Sequence, residues 1–494
     1  RDPMEWNEEE QDRIAKYMAF GKTWAARARR DAPDIKLCFG NGFPDFLSAM
    51  LRAGFPHEYI DGLGLDFDMY TSAPEDQPSM WYAPFSGIYY LRELRKVYHC
   101  EDKPIWLTEA IYCPTSPIWI TERQQADYYV RAHLLALAMG VERFGMCAEP
   151  IDPDGWYHYG HYGPVGLCHA PPELNPRDAF CAYATMTGVL DGAVFDAVVD
   201  LGSPHAYGLR FRRADGARVH ALWTVHGVRS LDLRLDGKGD FRVYTRDGRD
   251  ITSEIAGRQR RSDRKRITLR LDESPTYLVG PEQFAVLRLS DTEALPPPAG
   301  VESLTRFDAL DAWAQTEGPV PGYEEINRST PIAWVNLDLH IRNGALNVRP
   351  PQNGGTHPLE TLCMAMRRTG PPLEIAEEYE AIGVCVRGDR SWGRVVFVLE
   401  DAKGSRWISA RSQTPVDVDG SVYLETALPK APSQEHPGFR GYRFWQREPG
   451  DVIPEYPMRL TGLLFEIRTH AIHGPDLVPL SAEGFSIESI ELRR

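Results

Sequence analysis

Lys103-Pro104-Ile105-Trp106-Leu107-Thr108-Glu109 is the stretch on which the fold turns. Three apolar residues follow a proline and stop at a hydroxyl and a carboxylate, the pattern of a buried strand with a polar end. On either side the pattern is helical. Ile88, Leu91, Leu94 and Val97 recur at helical spacing over 86–98, and Thr121 with Gln124 forms a capping box ahead of Ala126, Val130, His133, Leu134 and Leu137. Gly140 stops that helix, and Val141–Cys147 reads as the next strand. Further upstream, Ile35–Phe39 and Ile60–Leu65 are strand candidates. Helices are expected from the Asn7 cap (with Glu10 at N3) to about Ala28, over Asp45–Ala53 and over 176–190.

Strand and helix in alternation imply a parallel sheet with crossover helices. Four strands are half of an eight-stranded barrel, and a half barrel leaves two sheet edges open. The missing strands are therefore expected before Arg1. Arg1-Asp2-Pro3-Met4 reads neither as a start methionine nor as a signal peptide, so the chain is expected to begin inside a longer protein, which leaves localisation unread.

From about residue 194 the period shortens to strands with turn signals. Ala206–Arg212, Val219–Val225, Leu231–Leu235, Phe241–Tyr244, Ile267–Leu271 and Ala285–Leu289 are punctuated by Asp215-Gly216, Asp236-Gly237 and Asp247-Gly248. Residues 193–290 thus read as a small β-sandwich. Residues 291–300, with three consecutive prolines, read as a linker, and 301–494 as a β-jelly-roll of carbohydrate-binding-like type that could bind carbohydrate or only pack against the barrel. Its expected strands are Ala333–Ile341, Ala381–Val386, Arg394–Leu399, Val422–Leu424, Leu463–Ile467 and Phe485–Leu492.

A chain of 494 residues calls for two or three such units. The net charge of −15 argues against a nucleic-acid groove or an anionic membrane as partner. No run of eighteen apolar residues occurs, so no spanning helix is expected. Eight scattered cysteines show neither zinc-ligand spacing nor a disulfide framework. Twelve Trp and 22 Tyr suit sugar binding, but large cores use them equally.

In a (β/α)-barrel the chemistry sits at the C-terminal strand ends. Three ends here are polar: Asp66, Asp68 and Tyr70; Thr108 and Glu109; and Glu149, Asp152, Asp154, Trp156, His158 and His161. A carboxylate beside other acids and aromatics can act as nucleophile or general acid. Each also has a plain structural use: strand-end capping for Glu109, Asx turns for the aspartates, loop ordering for Trp156 and His158. No metal-ligand spacing supports a site at His158 and His161. Trp392, Trp407, Tyr442 and Trp445 are expected in the core rather than on a sugar platform.

The segment Lys103–Glu109 resembles the seventh barrel strand of clan A retaining glycoside hydrolases. The family 39 enzymes, of the β-xylosidase and α-L-iduronidase type, are the nearest pattern. Gln125–Ala132 is similar to their helix after the nucleophile, Pro176–Tyr183 to their last barrel helix, and Ile267–Leu271 with Ser274–Leu278 to the end of their accessory β-sandwich. The resemblance spans about residues 7–280. It implies the C-terminal half of a (β/α)8 TIM barrel over 1–192, Glu109 as nucleophile, a carbohydrate substrate and no cofactor. Asp66, Asp68, Tyr70, Trp156 and His158 would bind substrate. A secreted or periplasmic setting would suit the family, and oligomeric state is not legible.

By letters, Trp6-Asn7-Glu8 matches the clan's acid/base signature, although Asn7 and Glu10 also read as a helix start. The alternative is an acid/base residue before Arg1. Two departures stand out: Asp68-Met69-Tyr70 where the clan often has His-x-Tyr, and Gly145-Met146-Cys147 where it often has a tryptophan floor. They keep open a catalytically inactive carbohydrate-binding or structural relative.

Overall fold

The computed structural model describes residues 8–40, 44–68, 73–75, 84–112, 114, 120–146, 151, 166–236, 240–257, 265–280, 283–316, 318–320, 323, 332–351, 360–409, 414–430, 445–447 and 453–494. Its first region alternates α1 (Glu8–Asp31), β1 (Cys38–Phe39), α2 (Pro44–Arg52), β2 (Gly62–Asp68), α3 (Pro84–Val97), β3 (Ile105–Ile111), α4 (Glu122–Ala138), β4 (Val141–Phe144) and α5 (Asp178–Leu190). The four strands form one parallel sheet in chain order, with α2, α3 and α4 as crossovers. This is the alternation expected from periodicity. The capping box forms as read: Gln124 N–H donates to Thr121 Oγ1 at 3.1 Å, and Thr121 N–H to Gln124 Oε1 at 3.0 Å.

The sheet is two-sided in composition. Leu63, Leu65, Ile105 and Leu107 are buried in one core with Leu47, Leu91 and Leu134 from the helices. The alternate positions, Gly62, Gly64, Asp66 and Trp106, fall on the opposite face. The glycines there are steric necessities. A Cβ on Gly62 would lie 2.6 Å from the Trp106 ring, and one on Gly64 would lie 2.7 Å from Cys38 Sγ.

The next strands are β5 (Val194–Val198), β6 (Ala206–Arg212), β7 (Arg218–Thr224), β8 (Arg229–Leu235), β9 (Arg242–Tyr244), β10 (Arg266–Leu271), β11 (Thr276–Val279) and β12 (Phe284–Leu289). They form a five-stranded sheet, β5-β6-β7-β11-β9, and a three-stranded sheet, β10-β8-β12, around Leu222, Leu231, Leu233, Val243, Leu269 and Leu278. The last region holds a six-stranded and a nine-stranded sheet that enclose a second large core, among it Val384, Val386, Phe397, Leu463, Phe465 and Ile487.

One expectation is corrected, and two features go beyond the sequence reading. The single strand Ala333–Ile341 is two strands in different sheets: Ile332–Trp334 pairs with Thr361–Arg368, and Asp338–Arg342 pairs with Ala345–Arg349. The linker is docked: Thr292 N–H donates to the Asp419 carbonyl at 2.7 Å and Tyr423 N–H to the Leu295 carbonyl at 2.9 Å. The last region is not confined to its own core either. Ala471 and Ile472, from the hairpin His470–Pro479, are buried with the helices of the first region, as is Trp392. Trp407 lies in the second large core, while the Tyr442 and Trp445 side chains fall outside the described residues.

Two buried polar knots join the regions. On α4, Arg131 is fully buried and clasps the buried Glu75 carboxylate bidentately, with Nε to Oε1 at 2.8 Å. Trp223 Nε1 on β7 donates to the same Oε1 at 2.7 Å. Further on, Asp419 accepts from Ser203 Oγ at 2.6 Å, Arg229 Nη1 at 2.8 Å and the Arg390 N–H at 2.9 Å, and its other contact is His205 Nδ1 at 2.9 Å.

Removing one partner of a buried pair strands the other as an unpaired charge, at a cost of about 3–5 kcal/mol. Glu75→Gln is therefore expected to lower the urea midpoint of the first unfolding transition by a corresponding amount, whereas removing the exposed Glu9–Arg13 pair on α1 leaves it within error. Equal midpoints for the two variants would refute the load assigned to the Glu75–Arg131 contact.

Candidate active site at the strand ends

The site is made by a register slip. Leu65 pairs with Leu107, but the next residue, Asp66, pairs with Glu109, so Thr108 is an extra residue on β3. Such a bulge re-aims the side chains around it. Here it sets Glu109 abreast of Asp66, and partners in a parallel register share a face. That face is the one away from the helices, with Gly62, Gly64 and Trp106. The Thr108 hydroxyl donates to Asp66 Oδ1, which ties the bulge to the neighbouring strand. Glu109 is half-buried, between the exposed Thr108 and the fully buried Ala110 and Ile111. Among the described residues no guanidinium or ammonium contacts Glu109.

The chain after β4 closes against the same bulge. Gly145 N–H donates to the Leu107 carbonyl at 2.7 Å, and a Cβ on Gly145 would lie 2.8 Å from the Thr108 carbonyl oxygen. A tryptophan floor at this position is therefore sterically excluded. Lower on the face, the Arg143 guanidinium covers the Trp106 ring at 4.4 Å. Cys38 stands nearby on β1. Burial, and next the Asp66 carboxylate, push its thiol up to about 11, against a smaller opposing effect of Arg143.

Of the sequence candidates, the structure brings Asp66 and Glu109 together. Asp68 ends β2, but its side chain lies outside the described residues, as do Tyr70, Trp156 and His158 altogether. Glu8 is the first residue of α1 and exposed. That is the place of a first-turn carboxylate favoured by the helix dipole, and no described contact carries it to Glu109. Cys38 and Arg143 were not picked out from sequence. The alternation of Cys38, Gly64 and Trp106 across aligned strands was the available signal.

No family model matches the chain, and no curated protein matches it. Among solved structures it is similar to a family 39 glycoside hydrolase from the gut symbiont Bacteroides cellulosilyticus, with a TM-score of 0.43 and 19% identity over 53% of this chain and 54% of that one. It is also similar to a family 30 subfamily 8 xylanase from Clostridium acetobutylicum, with a TM-score of 0.36 and 11% identity over 54% and 60% of the two chains. A glucosidase from Croceicoccus marinus gives 0.36 and 13% over 55% and 65%. These structural neighbours are glycoside hydrolases, and the chain spans 54–65% of their lengths.

The shared face can be probed at Cys38. At pH 8 its alkylation by iodoacetamide is expected to lag far behind that of the exposed Cys181. Asp66→Asn removes a charge that raises the thiol and should accelerate Cys38, as followed by peptide mass spectrometry. An unchanged Cys38 rate would separate it from Asp66.

Proposed function

We propose that the chain carries part of a retaining glycoside hydrolase, with Glu109 as its nucleophile. In this reading residues 1–192 are the C-terminal half of a (β/α)8 barrel, 193–290 an accessory β-sandwich and 301–494 a β-jelly-roll. The observation that carries the proposal is the bulge at Thr108, which sets Glu109 beside Asp66 at the C-terminal end of a parallel strand, on the face turned from the helices. Catalytic groups of barrel enzymes occupy that position.

Retention uses two carboxyl groups about 5–5.5 Å apart. Glu109 attacks the anomeric carbon and forms a glycosyl ester as the glycosidic C–O bond breaks. A second carboxyl group protonates the leaving oxygen, then takes a proton from the water that hydrolyses the ester. Glu8 answers to that role by letters only, and its place on a helical turn speaks against it. We place the acid outside the described residues. Asp66, held by Thr108, accepts hydrogen bonds from substrate hydroxyls, and Asp68, Tyr70, Trp156 and His158 complete the subsite. None of these steps needs a cofactor.

The second reading is a carbohydrate-binding relative without catalysis. It is favoured by Gly145, where no ring can form the floor of the subsite.

The protein in its full natural length, incubated with activated 2-fluoro-glycosides, is expected to gain a glycosyl adduct on the peptide containing Glu109. Glu109→Ala should lose the adduct and at least roughly 10³-fold in kcat. Binding to a glycan array with no adduct from any sugar would establish the second reading instead.

A further inference from the structure

The six-stranded sheet of the last region turns one face into the core and the other outward. Its central strand, Phe485–Arg493, is paired along one edge by Ala381–Gly388. The other edge is shared end to end: Ala345–Arg349 takes Phe485–Ile487, and Val301–Arg306 takes Ser489–Arg493. Where the two part, register slips on both sides. Cys385 faces Ser489 while Val386 faces Ile487, which leaves Glu488 extra; Ser303 faces Glu491 while Thr305 faces Ile490. Bulges bend and twist the strands that carry them, and a groove of about 780 Å³ lies here. That is within the roughly 300–1,000 Å³ of small-molecule sites.

One wall is set by the Asn343-Gly344 turn, both residues at positive φ (56° and 73°), the signature of a two-residue hairpin. The floor is polar. Glu491 is only 7% exposed and lines the groove, yet no hydrogen bond or ion pair reaches its carboxylate among the described residues. The carboxylate thus keeps its acceptor sites for the hydroxyls of a ligand.

The charges decide the ligand class. Arg306, Arg342, Arg349 and Arg387 face five carboxylates across the groove. Arg349 pairs with Glu483, while the other three arginines make no ion pair with described residues. With five carboxylates to four arginines the lining carries one excess negative charge, which disfavours an anion and is too small to select a cation. A neutral polyol uses both, since carboxylates accept from its hydroxyls while guanidinium N–H groups donate to its oxygens. Phe485 is the one ring in the lining among the described residues, and it is buried in the core, so recognition rests on hydrogen bonds rather than stacking.

We infer that this groove is a second carbohydrate site that takes a neutral oligosaccharide. It lies on the last region, apart from the strand-end carboxylates, and does not require Glu109 to be a nucleophile.

The full chain would be titrated calorimetrically with xylohexaose, cellohexaose and mannohexaose, beside trigalacturonate and a chitosan oligosaccharide. At least one neutral hexaose is expected to bind. The paired surface substitution Arg342→Ala with Arg387→Ala, both exposed positions, should weaken it about tenfold or more, as should Glu491→Gln. Glu109→Ala should leave it unchanged, which separates this site from the catalytic reading. The surface pair decides the matter if Glu491→Gln lowers the melting midpoint. Lack of binding by every neutral sugar, binding indifferent to the arginine pair, or preference for the charged sugars would overturn the inference.

Discussion

The Glu75–Arg131 contact is the constraint on which the relation between the regions depends. A guanidinium and a carboxylate taken fully out of water tolerate little misplacement, because each lost hydrogen bond leaves a desolvated charge. The pair therefore fixes α4 of the parallel region against the segment bearing Glu75. Trp223 then extends the constraint to β7 by donating to the same carboxylate. Tyr207 stacks on Trp223 with ring centroids 5.2 Å apart, and its hydroxyl donates to the Ile472 carbonyl at 3.1 Å. One continuous line of packed polar and aromatic groups thus runs from a crossover helix to a hairpin more than three hundred residues later.

That line is one of several contacts that tie the regions together across the apparent linker. The hairpin His470–Pro479 brings Ala471 and Ile472 into the first core, Arg92 Nη1 donates to the Pro475 carbonyl at 2.7 Å, and Asp419 gathers Ser203, His205 and Arg229. The three prolines follow a segment already bonded on both sides. The parallel sheet is consequently held from its helical side, while its other face, with Trp106, Asp66 and Glu109, carries the polar strand ends.

At those ends local geometry matters more than residue type. Without the extra residue at Thr108, the pleat would turn Glu109 toward the helices, since a one-residue shift exchanges the faces of a strand. The bulge lets a hydrophobic strand end in a carboxylate beside a second carboxylate. Gly145 is part of the same solution, because only a residue without Cβ lets the chain after β4 approach the bulged carbonyl.

Periodicity in the sequence was sufficient for the βαβ alternation, the Thr121 capping box and most strands of the middle region, because these depend on neighbours within a turn or a pleat. The strand that carries Glu109 was legible for the same reason, although it runs on through Ala110 and Ile111 rather than ending at the carboxylate. Several features were decided only by tertiary contact. The splitting of Ala333–Ile341 between two sheets, the docking of residues 291–295 and the placement of Trp392 in the first core depend on partners distant in the chain. So do the burial of Glu75 with Arg131 and the register that sets Asp66 opposite Glu109. Hydrophobic pattern specifies which face of an element is buried; which partner buries it, and at what register, is settled when charges and bulges must be satisfied together.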